Sequence, residues 1–157
     1  MIRKLIKEDR DLIKQLLIDT KNFNDEEINI ALELIDIYLD DEKQDDYTIY
    51  SYMNGDDGKA AGYICYGKRP MTDSTYDLYW IAVDPAVHGK GIGSKLIEFM
   101  EDDLKKNKAG LVLIETSGLE NYSGERKFYE KNGYKVQTII KGFYRKGDDL
   151  YIYHKYI

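Results

Sequence analysis

The sequence predicts an α+β (mixed α/β) fold, and three observations carry that expectation. Apolar runs of strand length recur along the chain, amphipathic stretches of helical period separate several of them, and a strand, a glycine-rich loop and a helix follow one another over residues 75–107. At 157 residues and 18.3 kDa the chain fits a single domain over residues 1–157. Its 43% hydrophobic and 33% charged fractions are those of a chain with enough apolar surface to offset its ordering entropy.

Ile2–Ile6 reads as a short apolar strand, and Asp9–Asp19 sets Leu12, Leu16 and Leu17 on one helical stripe. Asn24 precedes Glu27 by three residues, the spacing of a capping box, and opens a helix over Asp25–Leu39 with Ile28, Ala31, Leu32, Ile35, Tyr38 and Leu39 at helical spacing. Tyr47–Met53 alternates as a strand, Asn54–Gly58 is turn chemistry, and Ala60–Tyr66 returns as the second arm of a hairpin. Thr75–Val83, rich in aromatic and β-branched residues, is a further strand that stops at Asp84-Pro85. From Gly91 to about Asn107 the period becomes helical, with Ile92, Leu96, Met100 and Leu104 in line. Leu111–Thr116 suits a buried strand, Ser123 caps a helix closing at Asn132-Gly133, and Val136–Ile140 and Leu150–Tyr156 are the last strands. The order β-α-α-β-β-β-α-β-α-β-β combines antiparallel pairing early with one strand–helix–strand crossover later.

Composition narrows the chemistry. No run approaches the ~18 apolar residues that span a bilayer, and Met1–Arg10 is charged where a signal peptide is apolar, so a cytoplasmic protein without a membrane partner is expected. Cys65 is the only cysteine, which excludes an internal disulfide. With His88 and His154 far apart and no His-x-x-x-His or Cys-x-x-Cys spacing, no metal is expected. The 23 Lys and Arg against 29 Asp and Glu give a net charge of −6, which argues against a nucleic-acid partner.

The segment Tyr79–Leu96 carries the most information. Gly89, Gly91 and Gly93 let the backbone approach a ligand closely, and the helix that follows presents unpaired N–H groups with a partial positive charge, so a phosphate is the natural guest. The nucleotide-hydrolase loop Gly-x-x-x-x-Gly-Lys-Ser/Thr is excluded, because Lys95 follows Ser94. A dinucleotide-binding oxidoreductase is the alternative, with Glu115 at the end of the next strand as the ribose acid; against it, five residues separate Val83 from Gly89 and the preceding strands form a hairpin.

Val83-Asp84-Pro85 followed by His88-Gly89-Lys90-Gly91-Ile92-Gly93 resembles the coenzyme A loop of the GNAT acetyltransferase superfamily, Gln/Arg-x-x-Gly-x-Gly/Ala after Val-x-Pro, with His88 where Gln or Arg is usual. About forty residues on, Phe128-Tyr129-Glu130-Lys131-Asn132-Gly133-Tyr134 is similar to the second signature of that superfamily. The resemblance implies a three-layer fold of about seven strands and four helices, a central mixed and mostly antiparallel sheet, and acetyl-CoA as co-substrate. It implies that Ile81, Ala82 and Val83 lend main-chain hydrogen bonds to the pantetheine arm and that His88, Gly89, Lys90, Gly91, Ile92, Gly93 and Ser94 hold the diphosphate. The family's Asn seven residues before the helix Tyr falls here at Tyr122, leaving Asn121, one residue earlier, as the candidate contact.

The implied activity is transfer of an acetyl group to a primary amine of a small molecule or peptide, with a coenzyme A sensor that does not transfer as the non-enzymatic alternative. A free alkylamine has a pKa of about 10.4 and must lose a proton, for which Asp77 and Glu115 are the candidate carboxylates. Glu115 is favoured because its surroundings are otherwise apolar. Attack on the carbonyl builds an oxyanion for which the N–H of Ile81 or Val83 is the candidate donor. Tyr129 is the proton donor to the departing thiolate that the second signature implies. Tyr38, Asp41, Asp45, Asp46, Asp148 and Asp149 are read as a negative rim for a cationic acceptor, and a homodimer is left open.

Overall fold

The computed structural model describes residues 1–55 and 58–157, so Asp56 and Asp57, the centre of the expected Asn54–Gly58 turn, lie outside the described residues. In chain order the elements are β1 (Ile2–Lys4), α1 (Asp9–Asp19), α2 (Asp25–Asp40), β2 (Thr48–Met53), β3 (Ala60–Lys68), β4 (Thr75–Val83), α3 (Ile92–Lys106), β5 (Leu111–Ser117), α4 (Ser123–Lys131), β6 (Lys135–Arg145) and β7 (Asp148–Tyr156). The mixed architecture and the element order are those expected, and the seven strands join in the order β1-β2-β3-β4-β5-β7-β6.

The chain forms two compact units, one of Met1–Gly67 with Trp80–Met100 and one of Lys68–Tyr79 with Glu101–Ile157. In the first, β1, β2 and β3 pair antiparallel in sequence order. The apolar stripes of α1 and α2 supply Ile13, Leu16, Leu17, Ile28, Leu32 and Ile35 to a core shared with Ile49, Tyr63 and Cys65. The capping box forms as its spacing predicts: the Asn24 side chain accepts from the Glu27 N–H, and Glu27 accepts from the Asn24 N–H, both at 2.8 Å. Close packing of β3 on β4 needs Gly62, where a Cβ would lie 3.1 Å from the Ala82 carbonyl.

In the second unit β5 is the central strand. It pairs in parallel with β4 from Thr75↔Leu111 to Leu78↔Ile114, the result of the α3 crossover, and antiparallel with β7 from Leu111↔Tyr156 to Ser117↔Leu150. β6 then pairs antiparallel with β7 at the far edge.

Three boundaries differ from expectation for physical reasons. β1 is assigned to Lys4, one further main-chain bond runs from the Leu5 N–H to the Ile49 carbonyl at 3.1 Å, and the Ile6 N–H, turned away from β2, donates to the Asp9 carboxylate at 3.1 Å as the chain turns into α1. Ser123 does not cap α4; it is the first helical residue, with Tyr122 at the cap position and no side-chain cap bond. β6 continues through Gly142, with φ +63°, because the Asp149 carboxylate accepts the Gly142 N–H at 2.9 Å where a ladder bond is missing.

Asp9 anchors the start of the chain. At 1% exposure it accepts both Arg3 guanidinium nitrogens at 2.7 and 2.8 Å and the Ser51 hydroxyl at 2.9 Å. Burial alone would raise its carboxyl, but Arg3, the Ile6 N–H and Ser51 together hold it below the ordinary value. Asp9→Ala leaves a partly exposed Arg3 and a buried Ser51 without their acceptor, and is expected to cost about 2–3 kcal/mol in urea unfolding at pH 7. The stabilisation is present above the ordinary carboxyl pKa of about 3.9 and is lost as pH falls through the lower folded value, so the parent should lose more stability below pH ~4 than the variant does. Equal midpoints at pH 7 would contradict this role.

Candidate functional site

The glycine loop belongs to the first unit, and its shape begins at the end of β4. The Asp84 N–H donates to the Ala61 carbonyl at 2.9 Å, so by strand alternation the main-chain groups of Ala82 face β3 while those of Ile81 and Val83 face the other edge. Of the three strand residues named from the sequence, Ala82 therefore belongs to the ladder and to the core, at 7% exposure. The Asp84 carboxylate accepts the Ala86 N–H at 2.9 Å and starts a helical turn over Pro85–Val87 that buries Val87. His88 Nε2 then donates to the Val83 carbonyl at 3.2 Å and closes the corner, giving a structural reason for an imidazole at this position.

Beyond the corner Gly89 and Gly91 take φ +79° and +72°, a backbone that L side chains rarely adopt. A Cβ at either would meet no atom within 4 Å, so the glycines are needed for conformation and the space beside them is open. The Gly91 carbonyl accepts the Lys95 N–H at 3.1 Å and starts α3, whose first N–H groups, on Ile92, Gly93 and Ser94, have no partner within the helix. Ile92 buries its side chain at 2% exposure and has only main chain to offer, while Lys90 and Lys95 are exposed and residues 88–97 include no acid. Unpaired donors, a helix dipole and two cations are groups that can receive an anion.

In the second unit β5 carries functional candidates on both its faces. Ile114 pairs with Tyr153 and Glu115 with Ile152, so alternation turns the two β5 residues to opposite faces. Tyr129 of α4 lies on the Tyr153 face, its ring centroid 5.9 Å from that of Tyr153 and 5.6 Å from that of Phe128. Burial, with Glu125 and Tyr153 adding to it, pushes the Tyr129 phenol well above its ordinary pKa, so it holds its proton at neutral pH. Asn121 is exposed in the turn Glu120–Tyr122 before α4.

On the other face Asp77 and Glu115 come together on a residue that sequence reasoning missed. Arg69, just after β3, donates to both Asp77 oxygens at 2.8 to 3.1 Å and to Glu115 at 3.4 Å. Asp77, expected to be either catalytic or solvated, is buried and ion-paired. Arg69 lies in a segment that the sequence marks only as a loop, and its eight-residue distance from Asp77 matches no periodic spacing. The acidic rim is corrected in part. Asp148 is buried and accepts the Ser117 hydroxyl, and Asp149 accepts Lys141 Nζ and the Gly142 N–H, so neither is a free surface charge. Asp41, Asp45 and Asp46 are exposed. Among the described residues no group of three or more His, Cys, Asp or Glu could hold a metal ion, and no helix is long and apolar enough to cross a membrane.

The turn from β5 to α4 is tightly fixed. Ser117 Oγ accepts the Leu119 N–H at 3.1 Å, and Arg126 of α4 donates to the Ser117 and Leu119 carbonyls at 2.8 Å while lying 5.2 Å from the Tyr151 ring centroid.

Residues 45–136 match the family described as acetyltransferase (GNAT) domain. The chain belongs to the GNAT acetyltransferase family. It is similar, at 36% identity and a TM-score of 0.94, to the crystal structure of a protein from Desulfovibrio desulfuricans assigned to that family, over 99% of this chain and 98% of that one. Among curated proteins, S-(2-succino)cysteine N-acetyltransferase of Bacillus subtilis (strain 168) is 26% identical over 87 residues, 53% of each chain, so the match spans about half of that relative. An aminoglycoside 6'-N-acetyltransferase complexed with coenzyme A shares the fold at 14% identity and a TM-score of 0.74, over 99% of this chain and 96% of that one.

Gly118 provides a test of the turn that sets α4. A Cβ there would lie 2.5 Å from Tyr151 Cε1, so Gly118→Ala must displace the ring beneath Arg126. A loss of about 1–3 kcal/mol is expected in chemical denaturation, as for other overpacked sites. An unchanged midpoint would show that the ring moves freely.

Proposed function

We propose that the chain is an N-acetyltransferase that moves the acetyl group of acetyl-CoA onto a primary amine of a small molecule or peptide, with residues 1–157 acting as one catalytic domain in the cytoplasm. The observation that carries this reading is the division of β5: a phenol held protonated lies on one face, and a pair of carboxylates lies on the other. Transfer to an amine needs a proton acceptor within reach of the amine, directly or through a water, and a proton donor within reach of the thiolate.

The glycine loop is suited to the co-substrate. Its open side, its unpaired N–H groups and its local cations match a diphosphate, to be held by Gly89, Gly91, Gly93 and the N–H groups of Ile92 and Ser94, with Lys90 adding charge. His88 stabilises the corner through Val83. The main chain of Ile81 and Val83, turned away from β3, would pair with the pantetheine amides and offer the N–H that meets a developing oxyanion. Asn121 is a further candidate contact. When bound, acetyl-CoA supplies an activated acyl carbon and a thiol leaving group. On the carboxylate face Asp77 or Glu115 would take a proton from the ammonium, directly or through water, so that the neutral amine can attack; as the C–N bond forms and the C–S bond breaks, Tyr129 would give its proton to the leaving thiolate. Asp41, Asp45 and Asp46, with Tyr38, would favour a cationic acceptor.

Gly91→Asp tests the cradle. It adds a side chain at positive φ and a negative charge beside the proposed diphosphate. Calorimetric affinity for acetyl-CoA should fall at least about tenfold in a variant that still melts cooperatively, and acetyl-CoA, not NAD(P), should raise the melting temperature of the parent. Unchanged affinity would move the diphosphate elsewhere.

Tyr129→Phe keeps the ring and its packing against Tyr153 and removes the phenolic proton. Acetyl-CoA affinity and melting should change little, while the single-turnover rate should fall roughly 10²–10⁴-fold if thiolate protonation limits it. A single-turnover rate equal to the parent's would reduce Tyr129 to a packing residue.

A further inference from the structure

We infer that Arg69 is a positioning residue that ties Asp77 into a fixed ion pair and leaves Glu115 as the proton acceptor; this rests on the transfer reading above. The two carboxylates share one face, since Asp77 pairs with Leu113 in the parallel ladder and Leu113 and Glu115 alternate to the same side of β5. Their surroundings separate their roles. The Asp77 side chain is 10% exposed and holds Arg69 through three contacts of 2.8 to 3.1 Å. Both of its oxygens are engaged by the Arg69 fork, so the carboxylate is committed to the ion pair. The Glu115 side chain is 44% exposed and touches Arg69 once, at 3.4 Å through Oε1, while Oε2 has no partner among the described residues. Oε2 is therefore open to an amine or to a bridging water.

Arg69 connects the two. Its Nη2 donates to Asp77 Oδ1 at 2.8 Å and points the same group at Glu115 Oε1, so the buried aspartate fixes the direction from which the glutamate is held. Asp77, more than Glu115, raises the guanidinium above its ordinary pKa against the effect of burial. The registers place on the same face of this unit Tyr79 of β4, Asp148, His154 and Tyr156 of β7, and Lys135 of β6, while the residue opposite Glu115 itself is the uncharged Ile152.

The test is the pH dependence of acetyl transfer, read as thiol release with an amine acceptor, for the parent and for Glu115→Gln, Asp77→Asn, Arg69→Met and Arg69→Lys. Glu115→Gln should lose roughly 10²–10⁴-fold in kcat, together with the acid limb of the profile. Asp77→Asn should keep that limb. Arg69→Met should lower kcat several-fold while acetyl-CoA affinity holds, because Glu115 is no longer held from one side, and Arg69→Lys should restore most of the difference. Arg69→Met leaves Asp77 unpaired, so melting is measured first; if that variant does not fold, the Asp77→Asn and Glu115→Gln pair decides. Loss of the acid limb in Asp77→Asn, or its survival in Glu115→Gln, overturns the assignment. An Arg69→Met variant that folds and keeps the parent's kcat, or one that Arg69→Lys does not rescue, also overturns it. No thiol release by the parent across the amine panel fails the transfer reading and this inference together, whereas release with the wrong variant pattern fails this inference alone.

Discussion

The antiparallel ladder between β5 and β7 is the constraint on which the second unit depends. It runs the full length of β5, from Leu111↔Tyr156 to Ser117↔Leu150, whereas the parallel ladder with β4 ends at Leu78↔Ile114. The last residues of β5 are therefore held straight from one side only. That one-sided support fixes the alternation that sends Ile114 toward Tyr153 and Glu115 toward Arg69, and it delivers Ser117 to the turn that aims α4. The alternation of β5 sets the two faces, and the turn fixed by Ser117 and Arg126 brings Tyr129 of α4 onto one of them.

A different device governs the glycine loop, where conformation matters more than contact. Gly89 and Gly91 lie in open space at positive φ, and the fold around them supplies stiffness by short bonds: Asp84 to the Ala86 N–H, His88 to Val83, and the Gly91 carbonyl to Lys95. The loop is pre-shaped, and the proposed diphosphate would meet it without much further ordering. Its charge is local. A chain of net charge −6 carries no acid from residue 88 to 97, so the local sign at the loop is opposite to the overall one.

Much of this is legible in the sequence, for reasons that differ by element. The helices α1 and α2 can be placed closely because their stripes and the Asn24–Glu27 box are local signals. The loop glycines and the Phe128–Gly133 run are legible as motifs, and the family they point to is the one to which the chain belongs. What escapes are long-range polar choices. Arg69 finds Asp77 and Glu115 only after β3, β4 and β5 are assembled, a sequence separation of 46 for the second pair. Asp148 and Asp149 read as surface charge because nothing local shows that Ser117 and Gly142 will use them as acceptors. The Ser123 cap fails because Tyr122 already holds the cap position at the end of a preceding helical turn.

The most direct test of the central claim is to follow an isotope-labelled acetyl group. The purified protein is incubated with labelled acetyl-CoA and a panel of primary amines, and the products are resolved by mass spectrometry. The account predicts label recovered as an amide on at least one amine, in step with free thiol. Tight binding of acetyl-CoA with no labelled amide on any amine, or thiol released only by hydrolysis, would contradict it and leave the chain as a coenzyme A sensor.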